Sequence, residues 1–102
     1  MSELLNKNRA ALAGVCARFG VARLEVFGSA LGEDFKEGSS DLDFLVEFKS
    51  MGPYARVDAY FGLLDELRTM FQREVDLVMA DAVRNPYISR EIDRTKQLLY
   101  AA

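Results

Sequence analysis

The stretch "FGSALGEDFKEGSSDLDFLVEF", residues 27–48, holds a contradiction whose resolution decides the fold. Its last part, "DLDFLVEF" at 41–48, reads as an apolar strand, yet it opens with two aspartates, Asp41 and Asp43, where a carboxylate is normally costly. Side chains alternate across a strand, so Leu42, Phe44 and Val46 are expected on one face and Asp41, Asp43 and Leu45 on the other. The two acids would then stand about 6.6–6.8 Å apart along the strand. Repulsion and burial raise the pKa of such a pair unless a cation or hydrogen-bond donors offset the charge. The nearest cations in sequence, Lys36 and Lys49, lie more than four residues away. A metal ion is the economical answer.

Upstream, "ARLEVFGS" reads as a strand over 22–27 that runs into Gly28-Ser29. A glycine at a strand end lets the backbone approach a ligand closely, and a following helical turn aims free N–H groups at an anion. Ser29 would add its hydroxyl to a phosphate oxygen. Downstream, "REVDLVMA" at 73–80 reads as a third strand in which Asp76 again interrupts an apolar run, on the face opposite Val75 and Leu77. If this strand lies beside the second, Asp76 meets Asp41 and Asp43. Such hard oxygen donors suit magnesium or manganese, which also bind substrate phosphates. Two ions about 3.5–4 Å apart can clamp the attacking and leaving oxygens of an in-line displacement at phosphorus. Each element alone has a plainer reading: a turn, a solvent-capped strand start, an exposed acid at a strand end. Their order on strands able to adjoin points instead to one site.

The remaining chain supplies the frame. Leu4, Leu5, Leu12, Val15 and Phe19 recur at helical spacing, predicting a helix over 3–18 that ends near Gly20. Cys16 borders this stripe and is read as a small packed residue. Pro53 suits a helix start, and Val57, Tyr60, Phe61, Leu64, Leu67 and Phe71 mark the longest helix, about 54–71. "NPYISREIDRTKQLLY" is read as a closing helix with Ile88, Ile92 and Leu99 inward. The expected order is α, β, β, α, β, α, an α/β (α+β) protein with a small mixed sheet flanked by helices.

Composition narrows the function classes. The chain has 102 residues, 50% hydrophobic and 28% charged, which fits one globular domain over 1–102. A net charge of −3 argues against extended nucleic-acid binding. The polar residues of "MSELLNKNRAALAGV" exclude a signal-peptide reading, and no apolar run approaches membrane-spanning length. With one cysteine and no histidine, an intrachain disulfide or a zinc cluster is not expected. A cytoplasmic location is the default expectation.

The run at 27–48, followed by "REVDLVMA", resembles the minimal nucleotidyltransferases of the DNA polymerase β superfamily, whose pattern is Gly-Ser, a loop, Asp-x-Asp and a distant third Asp. The ending "YISREIDRTKQLLY" is similar to the terminal helix of these small proteins. The resemblance implies a polymerase β-like fold in which Gly28 and Ser29 hold a triphosphate. Asp41 and Asp43 would bind both metal ions, and Asp76 would join one metal and help activate the acceptor hydroxyl. It also implies a setting: antitoxins of the MntA kind, which transfer AMP from ATP to a tyrosine of a partner HEPN toxin and so silence it. Two magnesium ions, or manganese, would be the cofactors and ATP the nucleotide. The chain departs from the family's Gly-Ser-x-Ala-Arg-Gly at Gly32, where arginine is common. Lys36 and Arg23 are candidates for supplying that charge, a choice that spacing does not decide. A non-catalytic antitoxin or regulatory module of the same fold is the alternative. An acceptor brought by a protein partner suits so small a chain, and Met51, Tyr54 and Tyr87 are candidates for such an interface.

Overall fold

Helices α1 (Glu3–Lys7) and α2 (Arg9–Arg18) open the computed structural model, which describes residues 3–28 and 41–102. Strands β1 (Val21–Phe27) and β2 (Leu42–Phe48) follow, then helix α3 (Pro53–Phe71), strand β3 (Val75–Met79) and a 3-10 turn at Ala80–Ala82. Helix α4 (Pro86–Thr95) and strand β4 (Gln97–Ala101) close the chain. The four strands form one mixed sheet in the order β3-β2-β1-β4. β1 runs antiparallel to both β2 and β4, whereas β2 and β3 are parallel. The parallel pair is possible because α3 carries the chain back to the starting end of the sheet.

Alternation along the strands separates two faces. Leu24 and Val26 of β1, Leu42, Phe44 and Val46 of β2, and Val75 and Leu77 of β3 are buried in one core with Leu5, Leu12, Cys16, Leu63, Leu67 and Phe71 of the first three helices. The Phe44 and Phe71 rings stack with centroids 5.9 Å apart, joining the central strand to the end of α3. Pro53 occupies the first turn of α3, and Gln72 ends the helix in the left-handed conformation at φ 55° with its N–H bonded to the Arg68 carbonyl. Cys16 is fully buried, and desolvation pushes its thiol up to about 12, so it is the packed, inert cysteine expected.

The other face carries Glu25, Asp43 and Leu45, and α4 lies over part of it. Ile92 and Lys96 share a small cavity with Leu45, and Lys96 Nζ stands 3.9 Å from the buried Glu25 carboxylate.

Beyond one-residue shifts at the starts of β1, β2 and α3, the structure departs from the sequence reading at three places. The helix expected over 3–18 breaks at Asn8, whose side-chain amide donates to the Leu4 carbonyl at 2.8 Å while its own carbonyl accepts from Leu12. Asparagine competes for backbone groups in this way and favours helix ends over interiors. The third strand is shorter than 73–80. The larger correction is at the C-terminus, where the helix ends at Thr95 and Gln97–Ala101 forms the edge strand β4. Ile92 and Leu99 are seven residues apart, which reads as one helix face. In the structure they lie on opposite sides of the sheet, Leu99 in the main core and Ile92 beneath α4. Pairing with β1 satisfies that strand's backbone groups, a gain that helical periodicity does not reveal. Ile88, expected inward, is 53% exposed.

Candidate active site

The parallel register of β2 and β3 sets Asp43 opposite Asp76, flanked by the pairs Leu42↔Val75 and Phe44↔Leu77. Those flanking residues face the core, so both acids point to the second face of the sheet. This is the adjacency on which the sequence reading depended. Asp43 is half-buried, and its carboxyl is pushed up from 3.8 to about 6. Burial is the largest cause, followed by the charge of Asp76, a hydrogen bond with the Asp76 carboxyl, and the charge of Asp41. Among the described residues no lysine or arginine forms an ion pair with Asp41, Asp43 or Asp76.

Gly28 closes the other side of this site. It follows β1, whose last residue, Phe27, pairs with Asp43. Its φ is +75°, in the left-handed region that favours glycine. A Cβ at this position would stand 2.7 Å from Asp43 Oδ2. Position 28 is therefore restricted twice, by its own backbone and by the carboxylate beside it.

The chemistry of this donor set fits a divalent cation. Two hard carboxylates lie side by side, a third acid, Asp41, acts electrostatically on Asp43, and no ion pair among the described residues offsets them. Among the described residues, no group of three acids already stands close enough to hold an ion, so Asp41 is coupled to the pair without completing a ligand cage. Ser29 and Gly32 lie outside the described residues, as does Lys36. Arg23, the other candidate for the missing arginine, has its Nε 3.3 Å from Glu25 Oε1.

Sequence reasoning missed Thr95. Its hydroxyl accepts the Gly28 N–H at 3.3 Å and donates to the Glu91 carbonyl at 2.9 Å. No sequence signal could have placed it there, because a continuous C-terminal helix was expected. Beside Gly28 a mainly apolar cleft of about 320 Å³ opens between Phe27 and the Tyr87, Ile88, Glu91 and Ile92 side of α4. Tyr54 and Tyr87 are exposed, as an interface role requires, while Met51 is partly covered in a larger groove along α3.

A mixed sheet that carries a glycine turn and a strand-paired acid couple on one face has the architecture of the nucleotidyltransferase class. The chain belongs to the nucleotidyltransferase domain family, whose sequence model matches residues 9–99. It is 32% identical over 100 residues to a Methanocaldococcus jannaschii protein named "Putative protein adenylyltransferase MJ0128", covering 98% of this chain and 93% of the relative. A second protein of that organism with the same type of name is 31% identical over 101 residues, with the same coverage. Among solved structures, one named "putative minimal nucleotidyltransferase" matches with a TM-score of 0.65 at 27% identity, over 93% of this chain and 92% of that one. The fold also matches, at 17% identity and a TM-score of 0.67, a toxin-antitoxin structure with AMP-PNP, over 93% of this chain and 74% of that one. A Shewanella oneidensis structure of a tri-AMPylated HEPN toxin with its MNT antitoxin matches with a TM-score of 0.60 at 17% identity, over 96% and 73% of the two chains.

Proposed function

We propose that this nucleotidyltransferase moves AMP from ATP to a hydroxyl, a tyrosine, of a partner HEPN toxin and thereby acts as its antitoxin. The observation that carries the reading is the pairing of Asp43 with Asp76 beside Gly28. Relatives named as protein adenylyltransferases, and the fold shared with antitoxins solved beside HEPN toxins, support the choice of acceptor. A cytoplasmic setting goes with that partner; no helix among the described residues is long and apolar enough to cross a membrane.

In this mechanism Asp43 and Asp76, with Asp41 nearby, would hold divalent cations, magnesium or manganese, whose chemistry would be to neutralise phosphate charge during displacement at the α-phosphorus. At Gly28 the missing side chain lets the backbone come close to the triphosphate, and the Ser29 hydroxyl binds a phosphate oxygen. Asp76 helps to draw the proton from the tyrosine hydroxyl as its oxygen attacks. The new bond joins tyrosine oxygen to the α-phosphorus, the α–β bridge breaks, and pyrophosphate leaves. Positioning and preorganised charge supply most of the acceleration.

Mass spectrometry of the partner after incubation with this protein, ATP and magnesium tests the proposal, with Asp43→Ala as control. A gain of one or more AMP units with the parent protein and none with the variant is expected. Gly32, in place of the common arginine, favours a second reading, a non-catalytic antitoxin of the same fold. Tight complex formation without any mass change would select it.

A further inference from the structure

Gly28 follows β1 with its N–H bonded, in a partly buried position, to a side chain 67 residues later in the chain. The acceptor is Thr95 Oγ1, on the last residue of α4. A helical threonine that donates to the carbonyl four residues back, as Thr95 does to Glu91, is common and by itself means little. Here the same oxygen also accepts, so its proton and one lone pair are both committed. The N–H that it holds belongs to the left-handed glycine whose missing Cβ leaves room for Asp43 Oδ2.

The surrounding structure fixes Thr95 in place. Lys96 turns extended at ψ 143°, and Gln97 at once pairs with Val26 of β1, two residues before Gly28. Lys96 also reaches the buried Glu25 of β1 at 3.9 Å and Asp93 at 3.0 Å. The passage from α4 to β4 is therefore tied to β1 at the two residues that follow Thr95. A hydroxyl so anchored can set the orientation of one peptide plane with little entropy cost when a ligand arrives.

We propose that Thr95 is a positioning residue of the nucleotide site, acting through Gly28 rather than on the nucleotide itself. By holding the Gly28 N–H, it fixes the peptide at the end of β1, so that Gly28 keeps its close approach to Asp43 Oδ2 and the carboxylate keeps its place. This rests on the reading of the site under Proposed function and goes beyond it by assigning a role to α4.

The test uses Thr95→Val, which keeps the shape and removes the acceptor, and Thr95→Ser, which keeps the hydroxyl. Amide exchange at Gly28 is followed by NMR, and binding of a non-hydrolysable ATP analogue with magnesium by calorimetry. Thr95→Val is expected to speed Gly28 exchange and weaken the analogue about five- to tenfold, roughly what one neutral hydrogen bond contributes. Thr95→Ser is expected to restore both to within about twofold of the parent. If the parent binds the analogue and Thr95→Val binds it equally well, the positioning role is overturned and the site reading stands. Equal weakening by both variants would also overturn it, since the methyl group's packing would then be the cause. A parent that does not bind the analogue would overturn the site reading and this inference with it.

Discussion

Asp43 carries opposing demands: buried enough to resist ionisation, yet suited to a cation only when ionised. Its pKa of about 6 means that the folded protein takes up a proton at Asp43 at a pH where the unfolded chain would have released it. The sign follows from linkage. A raised acid favours the folded state below its unfolded value near 3.8, and this contribution is lost as pH rises through about 6. In metal-free buffer, Asp43→Asn is therefore expected to melt at a higher temperature than the parent at pH 7. The difference should shrink toward pH 4, as paired thermal melts across that range would reveal. Activity should move the other way: Asp43→Ala is expected to lower AMP transfer by about a hundredfold or more, since a bound metal supplies several kcal/mol of charge stabilisation. With both outcomes, Asp43 would be a burden to the fold and a requirement of the proposed site.

Gly28 shows the same tension in backbone form. Gly28→Ala is expected to cost about 1–2 kcal/mol of stability for the left-handed conformation alone. Because its Cβ would press on Asp43 Oδ2, transfer should fall by more than that loss explains. Denaturant unfolding and single-turnover transfer, measured on one preparation, separate the two effects.

At the scale of elements, legibility followed the strength of the local pattern. The Asp-x-Asp strand, the glycine at the end of β1 and the proline-started α3 each carry a signal within their own segment, and each stands where the sequence suggested. Adjacency of Asp43 and Asp76 could be anticipated from two interrupted apolar strands, although their register could not. β4 was illegible because Leu99 suits a helix continuing from Ile92 as well as a strand against β1, and only the unpaired edge of β1 distinguishes them. Mutation can make the same distinction. Leu99→Ala should cost about 2–5 kcal/mol, as for a core leucine, while Ile88→Ala should stay within about 0.5 kcal/mol. If the segment were one helix with Ile88 and Leu99 both inward, the two variants would lower the urea midpoint by similar amounts. Thr95 went unread for the same reason, since its neighbourhood exists only once β4 forms.

For the whole molecule, ligand binding and folding draw on the same structure. A ligand that binds only the folded chain raises stability by about 2.7 kcal/mol at a hundred times its dissociation constant. In a domain of this size that is expected to raise Tm by roughly 10 °C or more with magnesium and an ATP analogue, and Asp43→Ala should abolish most of the rise. Thermal melts with magnesium alone, nucleotide alone and both together would show whether the two ligands cooperate.

The alternation along the β2–β3 pair has a further consequence. Leu42, Phe44, Val75 and Leu77 seal the interior, while Asp43 and Asp76, interleaved with them, face the other way. Sliding β3 by a single residue would drive the Asp76 carboxylate into the hydrocarbon interior and turn its apolar neighbours to water. A chain mispaired in this way would lose its core and its acid pair together. With the role proposed for Asp43 and Asp76, the site would serve as a proofreader of its own assembly, since transfer would certify that the strands have met in the right frame.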